Sequence, residues 1–344
     1  MEALPGRVPS LWRYPEALPI AVDAAITLGE GLTPLVPSRT LAHVQLKLDF
    51  LLPTLSFKDR GAVVLATLAT QLRVRHAMVD SSGNAGTAMA AYFGRAGIGC
   101  TVYVPESTSP GKLAQMRSHG ALVTLVPGKR ADTAAAALDA AGKNDKFYAS
   151  HVYHPYFLHG VKTYGYEIWE QCARSLPDTV VVPVGNGTMV LGCYLAFREL
   201  IAAGLAEQMP RIIAVQASAC APLERAMALG LVEPQDVQAD ATVAEGIAIA
   251  APPRAKQILQ AIRVTGGTVV SVTDAQIIAA SRELASEGLF VEPTSAVCFA
   301  AVRAAVDRSF DAASVTWAVA APLLVAGAVI VPLCGAGLKL PIAP

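Results

Sequence analysis

The chain has 344 residues, 27 Lys+Arg against 27 Asp+Glu for a formal net charge of zero, and it is 53% hydrophobic and 16% charged. Such a length holds a large core in one domain or two. Balanced charge with no long single-sign run gives no footprint for nucleic acid or an anionic membrane surface, and the apolar composition argues against disorder and suits parallel strands buried on both faces. Six cysteines, Cys100, Cys172, Cys193, Cys220, Cys298 and Cys334, contain no CxxC pair. Neither a disulfide framework nor a zinc site is indicated, and a reducing cytoplasm is expected.

In chain order, the opening "MEALPGRVPSLWRYPEALP" lacks the charged-then-apolar layout of a signal peptide and is broken by prolines, so no export is expected. "LPTLSFKDRGAVVLATLA", Leu52 to Ala69, reads as a helix start, with Ser56 and Asp59 in the S-x-x-D relation of a capping box and Lys58 in the first turn. From there short apolar runs alternate with longer alanine-rich ones. "HAMVD" precedes "GTAMAAYFGRAG", "CTVYVP" precedes "PGKLAQMRSHG", "ALVTLVP" precedes "RADTAAAALDAAG", and "TVVVPV" precedes "MVLGCYLAFREL". Strand then helix, repeated, predicts an α/β fold with largely parallel sheets flanked by helices, and ligands in the loops beyond the strands' carboxyl ends. "LVEPQDVQADATVAEG", Leu231 to Gly246, is a polar candidate for a mobile loop. "VTWAVAAPLLVAGAVIVPL", Val315 to Leu333, approaches the length of a bilayer span, but Pro322 and Pro332 interrupt it and its second half reads as a buried strand running into a glycine turn.

Three strand-to-helix or post-strand turns and one lysine carry the candidate chemistry. At a helix start, the positive end of the dipole and any burial favour the uncharged amine, so Lys58 suits Schiff-base chemistry with an aldehyde. The ordinary alternative is a solvated lysine paired with Asp59 or Glu30. "MVDSSGNAGTAMAAY" places Ser81, Ser82, Gly83, Asn84 and Ala85 where backbone N–H groups bind a carboxylate or phosphate; small residues there also simply permit a tight turn. "TVVVPVGNGTMVLGCYLAF" puts Gly185, Asn186, Gly187 and Thr188 in a like position, suited to a phosphate. It is no dinucleotide fingerprint, since Val190 completes the G-x-G-x-x-G pattern, and it lacks a P-loop lysine. Cys334 follows a strand in "VPLCGAGLK", where a buried, inert thiol is the ordinary expectation. Lys112 and Arg117 fit a solvated helix face. His154 and His159 flank "PYFL" without a third ligand, so no metal site is expected.

Taken in order, "GEGLTPLVP", "SFKDRG", "SSGNAG", "PGKLAQMRSHGA", "HGVKTYGYEIWE", "VPVGNG", "EGLFVEPTSA" and "CGAGLK" resemble the blocks of the fold-type II pyridoxal-phosphate enzymes, the group of tryptophan synthase β and the serine/threonine dehydratases, and within it threonine synthase. The resemblance runs along most of the chain. It implies two α/β domains with pyridoxal 5'-phosphate in the cleft between them, placed here at 46–154 for the smaller and at 1–45 plus 155–344 for the larger. It gives Lys58 the Schiff base, Phe57 a place beside the cofactor, and Asn84 a hydrogen bond to the phenolic oxygen. Ser81, Ser82, Gly83 and Ala85 would frame the substrate carboxylate, Gly185, Asn186, Gly187 and Thr188 would cradle the phosphate, and Cys334 would face the pyridine nitrogen. A homodimer follows from the resemblance alone, with an amino acid as the small-molecule partner.

The implied activity is a lyase of threonine synthase type, turning O-phosphohomoserine into threonine and phosphate. Three departures favour an alternative, β-elimination or β-replacement on a serine- or threonine-like substrate. "SSGNAG" stands where threonine synthases read "STGNT", Cys334 stands for a threonine, and Phe157 stands for the arginine of "NPxRxEGQKT", a residue suited to a substrate phosphate. A second alternative is a non-catalytic relative that only binds the cofactor or an amino acid; retention of Lys58, Asn84 and the glycine turn together weighs against it.

Overall fold

The computed structural model describes residues 4–128, 130–144, 147–235 and 239–339. After short 3-10 turns the chain runs through β1 (Leu35–Pro37), β2 (Val44–Lys47), α1 (Lys58–Gln71), β3 (His76–Asp80), α2 (Asn84–Arg95), β4 (Gly99–Pro105), α3 (Pro110–Ser118) and β5 (Leu122–Val126). It continues through α4 (Arg130–Asn144), β6 (Phe147–Tyr148), α5 (Pro155–Val161), α6 (Thr163–Gln171), β7 (Thr179–Pro183), α7 (Thr188–Ala202), β8 (Arg211–Ala217) and α8 (Pro222–Ala228). Last come α9 (Ala255–Val264), β9 (Thr268–Val272), α10 (Asp274–Ser286), α11 (Pro293–Asp307), α12 (Val315–Leu324) and β10 (Val329–Pro332). The strand-then-helix alternation read from the sequence is therefore the one observed.

Two compact units divide the chain. The first holds residues up to Leu32 together with Leu52–Thr163, and the second holds Thr33–Leu51 with Tyr164–Leu340. This differs from the expected split in where the N-terminal segment belongs. Leu11, Trp12 and Leu18 are buried in the same apolar cluster as Val63, Tyr92 and Phe93 of α1 and α2, so residues 4–32 pack with the first unit. Residues 44–47, by contrast, form a strand paired in parallel with β10 and belong to the second.

The first unit is built on a parallel four-stranded sheet in the order β5-β4-β3-β6. β3 and β4 are its buried centre, with Val79 opposite Val102. β5 departs from the expectation of strands buried on both faces: it is an edge, and Leu122 and Leu125 are exposed. The second unit carries a six-stranded sheet, β1-β2-β10-β7-β8-β9, parallel except for β1. β7 is buried along its whole length, which is why its sequence is a continuous β-branched run. Inside this unit Lys47 of β2 pairs with Glu167 of α6 at 2.8 Å, both fully buried, and Lys47 Nζ also donates to the Thr33 carbonyl at 2.5 Å. Such a pair persists when buried because each charge has its partner and further hydrogen bonds.

Val315 to Leu333 resolves into a ten-residue helix containing Pro322 and the buried strand β10. Among the described residues no helix is long and apolar enough to cross a membrane. The polar stretch 231–246 has little regular structure, and residues 236–238 of it lie outside the described residues. Its end is pinned where Thr242 Oγ1 and Val243 N donate to the Asp274 carboxylate.

Candidate active site

α1 begins at Lys58, so the lysine occupies the first helical position, as the sequence reading requires. The expected capping box is absent. Phe57 is the N-cap residue and makes no side-chain cap bond. The Asp59 carboxylate accepts instead from Thr54 N, at 2.7 Å, and from Thr54 Oγ1. Thr54 thus takes from the loop the carboxylate that in a capping box would accept from the Ser56 backbone N–H. The Lys58 side chain is half-buried, with Nζ 4.1 Å from the centre of the Phe57 ring, a cation–π distance that fixes Phe57 beside the amine. Glu30, weighed as a partner for Lys58, accepts instead from Trp12 Nε1, Thr27 Oγ1, Leu28 N and Tyr92 OH.

α5 supports the start of α1 at close range. A methyl group at Gly160 would lie 2.0 Å from the Arg60 carbonyl oxygen, so only glycine fits this crossing. The Phe157 ring lies against Gly61, where a methyl group would meet its atoms at 2.6 Å. Phe157 is fully buried in the apolar cluster of the first unit and brings no charge.

β3 ends at Asp80, and α2 opens at Asn84 with Gly83 as N-cap. Ser81 and Ala85 are buried, Ser82 and Asn84 half-buried and Gly83 exposed. Ser81 Oγ accepts from Gly83 N at 3.4 Å, a weak bond that shapes the turn. The first-turn N–H groups of α2 have no intrahelical acceptors and, with the dipole, form an anion-binding start. Lys58 and the five residues 81–85 therefore lie in one unit, at the starts of two helices that pack together.

In the second unit β7 leads through Gly185, Asn186 and Gly187 into α7, which starts at Thr188. Gly187 has φ +78°, and a Cβ there would strike Ile258 Cδ1 at 2.2 Å. The backbone conformation is what favours glycine here, and a side chain would in addition have to displace the end of Ile258. β10 is hydrogen-bonded to β7, and Cys334 follows its end. The buried Cys334 Sγ lies 3.9 Å from Met189 Sδ in the first turn of α7, so the thiol and the glycine turn share the carboxyl end of two neighbouring strands. In parallel sheets this end binds the ligand.

The start of α11 lies in the block "EGLFVEPTSA", to whose residues the sequence reading gave no site role. Ser295 Oγ accepts from Gly335 N at 2.7 Å and donates to the Gly335 carbonyl at 3.1 Å, while Glu292 N donates to the same carbonyl at 3.0 Å. Thr294 Oγ1 accepts from Gly246 N at 3.2 Å, next to the Ile247 backbone that packs on Gly185. "VEPTSA" thereby clasps the Cys334 turn. Its helix-start signal was present in Pro293, but its partners lie about 40 residues away in the chain.

Other residues weighed from sequence fall into supporting roles. Arg117 is exposed, as on a solvated face, and Lys112 is half-buried. His154 caps α5, with Nδ1 accepting from Tyr156 N at 3.3 Å, and burial lowers its pKa. Among the described residues no group of His, Cys, Asp or Glu could hold a metal ion.

Comparison with known proteins gives the family and the shared fold. The chain is 37% identical over 315 residues to a threonine synthase of Methanosarcina acetivorans, covering 89% of this chain and 77% of that one. It is 35% identical over 311 residues to the threonine synthase of Methanocaldococcus jannaschii, covering 88% and 76%. A threonine deaminase from T.th. superposes with a TM-score of 0.75 at 24% identity, covering 91% of this chain and 94% of that one. Maize serine racemase does so with 0.75 at 18%, covering 98% and 95%. These two likenesses show the shared fold, and the expected α/β architecture is the one observed. The pyridoxal-phosphate dependent enzyme family model matches residues 26–320, and the chain belongs to that family.

Proposed function

We propose that this enzyme binds pyridoxal 5'-phosphate through Lys58 and acts as a threonine synthase, converting O-phosphohomoserine to threonine and phosphate. Likeness to threonine synthases at 37% identity over 315 residues carries this reading. The donor set fits the cofactor. Gly187, with φ +78°, turns the chain into α7, whose unshared first-turn N–H groups suit a phosphate. Cys334, beside that turn, offers a thiol to the pyridine nitrogen, which leaves the ring a milder electron sink than a carboxylate would.

Pyridoxal phosphate held by these residues would supply an aldehyde for the Lys58 amine and a sink for electrons at the substrate α-carbon. Gly185, Asn186, Gly187 and Thr188 would hold its phosphate, Asn84 would donate to its phenolic oxygen, and Phe57 would pack beside it. Ser81, Ser82, Gly83 and Ala85 frame the substrate carboxylate at the start of α2. The Lys58 amine would be the base that takes the substrate α-proton. Threonine formation then requires a second proton removal, departure of phosphate from the γ-carbon and addition of water. As part of the same reading the protein is a cytoplasmic homodimer, a state that light scattering checks directly.

Phe157 favours a second reading, β-elimination or β-replacement on a serine- or threonine-like substrate, because the position matched to a phosphate-binding arginine is a buried ring. One experiment separates them. With O-phospho-L-homoserine, the holoenzyme is expected to release phosphate and threonine in equal amounts, and Lys58→Ala is expected to release neither and to carry no borohydride-fixed cofactor. If phosphate and threonine fail to appear while L-serine, L-threonine or an O-activated serine gives keto acid or a replaced product, the second reading stands.

A further inference from the structure

Ser56 lies two residues before Lys58 and is fully buried, and its Oγ has no hydrogen-bond partner among the described residues. Its ordinary local uses are excluded. A serine before a helix usually caps it, but Phe57 occupies the N-cap position and α1 has no side-chain cap bond. The reciprocal partner of a capping box, Asp59, is engaged by both donors of Thr54. The Ser56 carbonyl is used, accepting from Asp59 N at 3.2 Å, while the hydroxyl is left aside.

Residues that follow, Asp59 to Ala66, are all buried, so an alanine at 56 would fill a dry environment at lower cost than a hydroxyl without a partner. A buried polar group lacking a protein partner calls for an explanation, such as a bound group or an ordered water. Lys58, which takes the cofactor on the reading above, is two residues along the chain.

We propose that Ser56 belongs to the cofactor site and that its hydroxyl hydrogen-bonds pyridoxal phosphate bound at Lys58. This rests on the cofactor reading above and adds to it a residue that the sequence marked only as a helix cap. The hydroxyl both donates and accepts, so it serves an oxygen of the bound group in either role.

The test compares wild type with Ser56→Ala, each as apoprotein and titrated with pyridoxal 5'-phosphate, reading thermal midpoint and the dissociation constant from the absorbance of the bound cofactor. The expected result is an apoprotein midpoint equal to or above wild type, since a hydroxyl without a partner has been removed, together with a dissociation constant about five- to tenfold higher, the loss of one hydrogen bond. A constant within about twofold of wild type overturns the inference whatever the midpoint does. A weaker constant accompanied by a lower apoprotein midpoint also overturns it, because the hydroxyl would then serve the fold through an internal water. Wild type that takes up no cofactor at Lys58 overturns the cofactor reading itself, and this inference with it.

Discussion

Glu30 is a fully buried carboxylate whose two oxygens are shared among four donors. Trp12 Nε1 at 3.1 Å and Thr27 Oγ1 at 3.0 Å reach Oε1, and Leu28 N at 2.8 Å and Tyr92 OH at 3.0 Å reach Oε2. Burial nevertheless dominates and raises its pKa above the ordinary 4.5. In that range the folded chain holds a proton that the unfolded chain releases. Glu30 therefore stabilises the fold most below the unfolded pKa, and this contribution is lost as pH rises through the raised folded value. In Glu30→Gln the amide nitrogen must face either Leu28 N–H or Trp12 Nε1–H, neither of which can accept. The variant is expected to lose about 1–3 kcal/mol of unfolding free energy, with the gap to wild type wider at about pH 5 than at about pH 8. Urea titrations at the two pH values measure it, and a gap that widens with pH would show the linkage to be wrong. None of this was legible in "GEGLTPL", because Trp12 and Tyr92 stand 18 and 62 residues away. For the same reason Ser56 and Asp59 read as a capping box: the spacing was right, and the competing donor, Thr54, could not be ranked above Ser56 from sequence.

Between elements, the crossing of α1 and α5 decides how firmly the Lys58 turn is held. A methyl group at Gly160 would sit 2.0 Å from a backbone oxygen, which no rotamer change relieves. Gly160→Ala is expected to force α5 away from Arg60 and Gly61, destabilise the protein by at least about 1–3 kcal/mol, and weaken cofactor uptake because the displaced backbone is two to three residues from Lys58. Gly111 in α3 has open space around it, and Gly111→Ala should be neutral or slightly stabilising. Paired denaturation curves with cofactor absorbance check both; equal effects at the two glycines would refute the close-packing account. The helices and strands themselves were legible because their apolar periods differ, and each block from "HAMVD" to "MVLGCYLAFREL" falls within the element it predicts, give or take its ends. Strand position was not. In the order β5-β4-β3-β6, β5 lies at the edge, and its run "LVTLV" is apolar all the same.

Across the whole molecule the six thiols report on both units. The absence of any CxxC spacing gave no reason to expect a disulfide framework, and none of the six cysteines forms a disulfide; five are buried and Cys172 is half-buried. The division into units was harder to foresee, because the N-terminal segment joins α1 and α2 through Leu11, Trp12 and Leu18, contacts that no local pattern encodes. Cys100 belongs to the first unit and the other five to the second, so labelling distinguishes which unit has opened. Burial pushes Cys100 up to about 12 and raises Cys220 and Cys298 as well. It also raises Cys172, against the opposing effect of the Lys47 charge. Since the thiolate is the reacting form, a neutral-pH thiol reagent should modify at most one cysteine in the native protein, slowly, and peptide mapping should identify it as Cys172. Six should react at once in denaturant. Native labelling of Cys334 as fast as Cys172 would contradict its burial beside Met189 and, with it, the enclosed thiol on which the proposed contact to the cofactor ring depends.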